Sequence, residues 1–94
     1  MASSQMELYA NLKTKTITQS VSVSGNNQWQ YFALSDYSID GYKVVGMIGI
    51  VVVAGNYAHQ GIIGGLENGV PGLGVFGTSG GTISLQVTLL YTPV

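Results

Sequence analysis

The chain of 94 residues contains no cysteine, which excludes disulfide bonds, thiolate chemistry and Cys-ligated metals. Charge is scarce as well, because only 7% of the residues are Asp, Glu, Lys or Arg, against roughly 25% in an ordinary soluble domain. The net charge of −1 leaves no basic patch, so nucleic acid is not an expected partner. A surface of Ser, Thr, Asn, Gln and Gly instead suits an extracellular or particle-borne protein, or a subunit that buries surface in an oligomer.

Long apolar segments are also absent, so membrane insertion is not expected. The longest run, residues 44–54, is too short to span a bilayer and is interrupted by Gly46 and Gly49. It predicts a β-branched strand that is buried on both faces for much of its length. The opening MASSQMELYANLK lacks the charge and apolar pattern of a signal peptide. We expect residues 1–13 to be a lead-in, extended or helical over 5–13, that connects to a fibre shaft or is the cut end of a longer polypeptide.

The sequence does contain alternation with a period of two, which predicts β-strands. One face of TISLQVTLLYT (82–92) is apolar and consists of Ile83, Leu85, Val87, Leu89 and Tyr91. The turn signal SGNN (24–27) predicts a hairpin between strands 16–23 and 28–34. Further strands are predicted over 43–55, 56–63 and 73–77, with loops over 35–42 and 64–72. The predicted fold class is all-β: one small antiparallel β-sandwich, jelly-roll-like, over residues 14–94.

Two glycine motifs resemble catalytic or nucleotide-binding signatures, but their surroundings do not fit. GLGVFG (72–77) matches Gly-x-Gly-x-x-Gly, yet a turn and a strand follow it where a dinucleotide site requires a helix. No acid follows Gly77 to bind ribose hydroxyls. GTSGG (77–81) matches Gly-x-Ser-x-Gly, but neither an acid nor a His follows Ser79. With 14 glycines in the chain, both matches are interpreted as accidents of composition.

No metal, cofactor or catalytic residue is expected. DYSIDG (36–41) resembles the first half of a calcium loop, but the twelfth position, which should be Glu, is Met47. The segment therefore predicts a turn in which Asp side chains cap backbone N–H groups. One His and no Cys cannot supply the ligands of a zinc site. The four acids are scattered and the single His has no evident partner, so we expect the protein not to be an enzyme.

The aromatic residues point to a different kind of site. Trp29 and Tyr31 share one face of their strand, where they either bind a sugar or pack in a core or subunit interface. A second group of polar and aromatic residues lies around 56–60, with Glu67 and Asn68 nearby; its alternative interpretation is ordinary loop chemistry. The expected ligand-contact residues are Trp29, Tyr31, Tyr57, His59 and Gln60.

Three segments, ITQSVSVSGNN, GYKVVGMIGI and ISLQVTLLYT, resemble the C-terminal head domain of bacteriophage and prophage fibre or tail structural proteins. The resemblance covers roughly residues 14–92, and the glycine-rich middle, GIIGGLENGVPGLGVFG, departs from it. It implies a β-sandwich or jelly-roll head on the virion, a homotrimer at a fibre tip that attaches to a host-surface saccharide. It fixes no binding residues. Two alternatives stay open: a purely structural trimerisation or capsid-decorating module, and a monomeric carbohydrate-binding module of a larger enzyme.

Overall fold

The computed structural model describes residues 11–55 and 59–94, and these form two antiparallel three-stranded sheets. Sheet A has the order β1-β6-β3, and sheet B has the order β2-β5-β4. The predicted small antiparallel β-sandwich is confirmed. No helix in the described ranges is long and apolar enough to cross a membrane. The strands are β1 (Lys13–Val23), β2 (Gln28–Ala33), β3 (Tyr42–Ala54), β4 (His59–Glu67), β5 (Val70–Gly77) and β6 (Gly81–Pro93).

The core lies between the sheets, and the central strand of each sheet supplies most of it. The alternation in β6 predicts the inward face correctly, since the five alternate residues from Ile83 to Tyr91 that form this face are fully buried. Leu73 and Val75 of β5 face them from sheet B. The sheets approach closely at Gly64, where a Cβ would collide with the side chains of Met47 and Ile50. Close packing of the two sheets at this point therefore depends on glycine.

The hairpin predicted between the first two strands is wrong. β1 pairs with β6 and β2 pairs with β5, so the loop at 24–27 crosses from one sheet to the other. The reason is that both strands have apolar residues for the same core: Val21 and Val23 are buried from one side and Phe32 packs from the other. The Gln30 side chain takes the place of a strand partner for Ser24. The Ser24 N–H donates a hydrogen bond to Gln30 Oε1, and Gln30 Nε2 donates one to the Ser24 carbonyl, each at 2.9 Å.

The loop predicted over 64–72 is also wrong, because β4 and β5 form a continuous hairpin there. Only Asn68 and Gly69 lie outside the ladder, with φ of 52° and 79°, as a type I′ turn requires. Backbone pairing does not require side chains, so the glycines around this turn do not prevent a strand. Pro71 fits because it lies just beyond the last pair of the β2–β5 ladder, Ala33 with Gly72, so no hydrogen bond of that ladder needs the N–H that proline lacks.

Burial of β3 on both faces is contradicted by the structure. β3 is an edge strand of sheet A, and three register shifts interrupt its pairing with β6. A β-bulge inserts an unpaired residue and redirects side chains. The three residues without a β6 partner at these shifts, Val45, Ile48 and Val53, are exposed, as is the paired Val51. These four side chains are called the β3 strip below.

The chain enters and leaves the sandwich at one end, here called the near end. Lys13 at the start of β1 pairs with Tyr91, and the Val94 N–H donates to the Gly41 carbonyl at 3.0 Å. The loop over 35–42, which was predicted, closes this end, and the Tyr91 hydroxyl donates to the Tyr37 carbonyl within it. The far end carries the loops at 24–27 and 78–80. Residues 1–10, and with them most of the predicted lead-in, lie outside the described residues.

Candidate binding site on the outer face of sheet B

The outer face of sheet B is built from side chains that alternate with the core residues of its strands. Because facing residues on paired strands point the same way, the ladder arranges them in rows across the sheet. From the far end, the rows are Trp29–Phe76–Gly61, Tyr31–Gly74–Ile63, Ala33–Gly72–Gly65 and, at the hairpin, Val70–Glu67. Aromatic residues therefore occupy the far half of this face, and glycines occupy the near half.

Trp29 packs firmly on one side and is open on the other. Its ring meets Phe76 edge to face, with centroids 5.6 Å apart and planes at 75°. The indole also reaches β4, since a Cβ at Gly61 would lie 3.3 Å from its Cη2 atom. Even so, 40% of Trp29 is exposed. The residue is thus held in a fixed orientation with an accessible surface, which is the arrangement that stacking on a ligand requires.

A groove of about 530 Å³ occupies the near half of the face and is called the glycine trough. Tyr31 and Ile63 form one wall, and Glu67 and Val70 form the other. All lining residues come from β2, β4, β5 and the turn between the last two, and none from sheet A, so the trough lies on the outside of the sandwich. Tyr31 is 73% exposed. The floor is backbone without side chains at Gly65 and Gly72, whereas Gly74 is covered by the side chains of Tyr31 and Ile63.

The polar character of the trough is restricted to a few groups. Among the residues that the structure describes, Glu67 is the only charged one in the lining, and Asn68 and the Tyr31 hydroxyl are its other polar side-chain groups. The basic residues lie in sheet A: the Lys15 ammonium donates to the Asp36 carbonyl, and Lys13 lies 4.5 Å from the centre of the Tyr42 ring. The arrangement can take an apolar ring face on the floor and hydrogen-bonding groups at the edges.

The structure places some of the predicted contact residues together. Trp29 and Tyr31 do share the outer face, as their spacing predicts. The backbone of His59 pairs with Gly77, which also pairs with Gln28, so β4 begins beside the aromatic row. Tyr57 and the side chains of His59 and Gln60 lie outside the described residues. Ligand contact by all five residues stays a prediction.

Sequence reasoning missed the floor and one wall of the trough. The sequence does contain a signal, because glycine recurs at alternate positions of both strands, interrupted by one isoleucine. These positions are Gly61, Ile63 and Gly65 in β4, and Gly72 and Gly74 in β5. Glycines on alternate positions of two neighbouring strands leave one face of a sheet without side chains. The Asn-Gly and Pro-Gly pairs between residues 64 and 72 indicate turns, so the sequence predicts a loop around Gly65 and Gly72 and hides the shared face of the two strands.

The other sequence motifs do not have the geometry of the sites that they resemble. GLGVFG lies within β5, which is paired on both sides, and not in a strand-to-helix turn. Asp36 in DYSIDG has a φ of 56°, in a turn conformation that Asp tolerates. Among the residues that the structure describes, no three His, Cys, Asp or Glu side chains come together as metal ligands would.

Comparison with models of protein families, with curated proteins and with solved structures finds no match to this chain. The interpretation of the site therefore depends on the geometry of sheet B and on the chemistry of its residues.

Proposed function

We propose that the chain is a non-enzymatic head domain of a phage-type fibre, which trimerises on the virion and attaches to a saccharide on the host surface. The observation that carries the proposal is the outer face of sheet B, where the exposed Tyr31 borders the glycine trough and Trp29 lies in the next row. The resemblance of three segments to such head domains supports the same function.

The chemistry of this face suits a sugar ring. A pyranose presents a C–H face, which stacks on aromatic rings, and a rim of hydroxyl groups, which need hydrogen-bond partners. A floor of Gly65 and Gly72 lets a ring lie directly on the backbone, while Tyr31 supplies the aromatic surface. Asn68, Glu67 and the Tyr31 hydroxyl lie at the edges, where hydroxyl groups would point.

The β3 strip supports self-association. An edge strand that exposes four β-branched apolar side chains favours contact with another chain. No charged residue lies between residues 44 and 54, so identical chains do not repel one another there. Three linked copies of a weak sugar site bind with greater avidity than one copy alone.

The proposal is tested by binding of the purified protein to host cells and to immobilised glycans. Tyr31→Ala and Trp29→Ala each remove an exposed aromatic surface, and we expect a loss of roughly tenfold in affinity for each. Thr18→Ala, on the outer face of sheet A, is the control and should bind as the wild type does. If the oligomer falls apart in Trp29→Ala, that residue is structural and its assignment to the site fails.

A second candidate function is purely structural: a trimerisation or capsid-decorating module without a ligand. The β3 strip favours it, since that surface accounts for assembly alone. It predicts a stable trimer that binds neither host cells nor glycans, and for which Tyr31→Ala has no effect beyond stability. The same binding experiment therefore separates the two functions.

A further inference from the structure

We infer that the glycine trough takes a saccharide that carries amino groups and no acidic groups. The inference rests on the proposed function, because it names the class of sugar that the site would select. It is based on the position of Glu67, the one charged residue that the described part of the chain contributes to the trough, and on the absence of Lys and Arg from the lining.

Glu67 is placed to face a ligand in the trough. It pairs with Val70 in the last row of the hairpin, on the same face as Gly65 and Ile63. Four residues of strand separate Glu67 from Ile63, which is about 13 Å. The row between them consists of Gly65, Gly72 and Ala33, so no large side chain stands between the carboxylate and the aromatic wall. A sugar on this floor lies between Tyr31 and Glu67.

An acidic saccharide has no counter-charge in this trough. Its lining contains no Lys or Arg, so a uronate or a phosphate would face the Glu67 carboxylate without compensation. The three lysines belong to β1 and β3 of sheet A, and Lys13 and Lys15 contact groups there. A protonated amino group, in contrast, would pair with Glu67 and keep its remaining hydrogens available to Asn68 or to water.

The expected preference is modest, because Glu67 is exposed and water screens the pair. An exposed pair of this kind contributes up to about fivefold in affinity at low salt. The contribution of the charge pair to affinity should fall as salt is added, whereas the contribution of stacking on Tyr31 should not. This difference in salt dependence separates the charge contribution from the rest of the binding.

The experiment measures the affinity per chain for three oligosaccharides of equal length, made of glucosamine, N-acetylglucosamine and galacturonic acid. The wild type should bind the glucosamine oligomer about fivefold more tightly than the N-acetylglucosamine oligomer at low salt, and the galacturonic acid oligomer least. Glu67→Gln keeps the shape of the side chain and removes its charge. It should abolish the preference for glucosamine and leave the affinity for N-acetylglucosamine unchanged.

Asp40→Asn serves as the matched control, because it keeps the shape of the side chain and removes an exposed carboxylate from the 35–42 loop, outside the trough. It should keep the wild-type preference. Equal binding of glucosamine by the wild type and Glu67→Gln would overturn the inference, as would a preference for galacturonic acid, while saccharide binding itself would stand. Binding of none of the three oligomers overturns the inference too, and host-cell binding then decides the proposed function by itself.

Discussion

At the scale of single residues, Tyr91 connects the core to the near end of the sandwich. It is fully buried at the end of β6, and its hydroxyl donates to the Tyr37 carbonyl in the loop that closes this end. Burial raises the pKa of the Tyr91 hydroxyl above its ordinary value, because the charged form would lose its hydration. The folded chain therefore holds this proton at a pH where the unfolded chain releases it.

Tyr91→Phe should cost about 1 kcal/mol of unfolding free energy at neutral pH, because it removes one hydrogen bond and leaves the Tyr37 carbonyl unpaired. Above pH of about 10, the unfolded wild-type chain ionises Tyr91 while the folded chain keeps it protonated, so the wild type loses stability that the variant does not lose. The gap between the two proteins should thus narrow from pH 7 to pH 11. Urea unfolding at both values measures it, and a constant gap contradicts the effect of burial.

Gly65→Val should block the glycine trough without unfolding the sheet. A Cβ at Gly65 would meet nothing within 4 Å, and the residue lies on the exposed floor. The branched side chain fills the space that a sugar ring needs, so affinity per chain should fall more than tenfold, measured by titration calorimetry. Gly46→Val is the matched control, since a Cβ there also meets nothing within 4 Å, and Gly46 lies in sheet A. Unchanged binding by Gly65→Val would remove the trough from the site.

At the scale of the strand, β3 shows how bulges change the role of an apolar segment. Each of its three register shifts leaves one β-branched residue without a partner on β6, and all three side chains are exposed. Apart from Leu90, the outer face of β1 and β6 is polar, with hydrogen bonds between Ser20 and Ser84 at 2.7 Å and between Thr16 and Thr88 at 3.1 Å. The β3 strip is therefore an apolar edge on a polar sheet.

Val51→Lys should dissociate the oligomer, because it places a charge in a surface that association would bury. Thr18→Lys is its control in the same row of the sheet, since both residues pair with Gln86. Sedimentation velocity should show wild type and Thr18→Lys as oligomers and Val51→Lys as a monomer. An oligomer that survives Val51→Lys would place the interface elsewhere.

Sequence patterns predicted the strands better than their arrangement. The alternation in 82–92 fixes which residues of β6 are buried, because one face of a strand must meet the core. Bulges break that period in β3, so its continuous β-branched run predicts burial on both faces although the strand lies at the edge of sheet A. The pairing of β1 with β6 involves residues that are far apart in the chain, which local turn signals at 24–27 do not encode. The trough exists because the pairing register of β4 and β5 places their glycines side by side. The sequence of either strand by itself does not specify that register, so the trough could not be predicted.

At the scale of the whole molecule, the number of chains per particle is the first measurement to make. Light scattering on a sizing column should give the mass of three chains of 9.8 kDa each. The trimer is expected because small, charge-poor domains with exposed apolar edges gain stability by association. A mass of one chain would contradict trimerisation. It would favour the third interpretation, a monomeric carbohydrate-binding module of a larger enzyme.

The start of β1 and the end of β6 lie together at the near end, and this position has a mechanical consequence. β1 and β6 are antiparallel neighbours along the whole of β1, and the start of one lies beside the end of the other. Tension between the two chain ends would open this ladder from Lys13 onward, breaking its hydrogen bonds one after another. Tension between the near end and the far end instead acts along the strands and across their hydrogen bonds, so that all of them resist at once. A force that pulls the start of β1 and the end of β6 away from the far end thus acts in the direction in which these strands resist most, whereas a force on a ligand in the glycine trough acts close to those two strand ends.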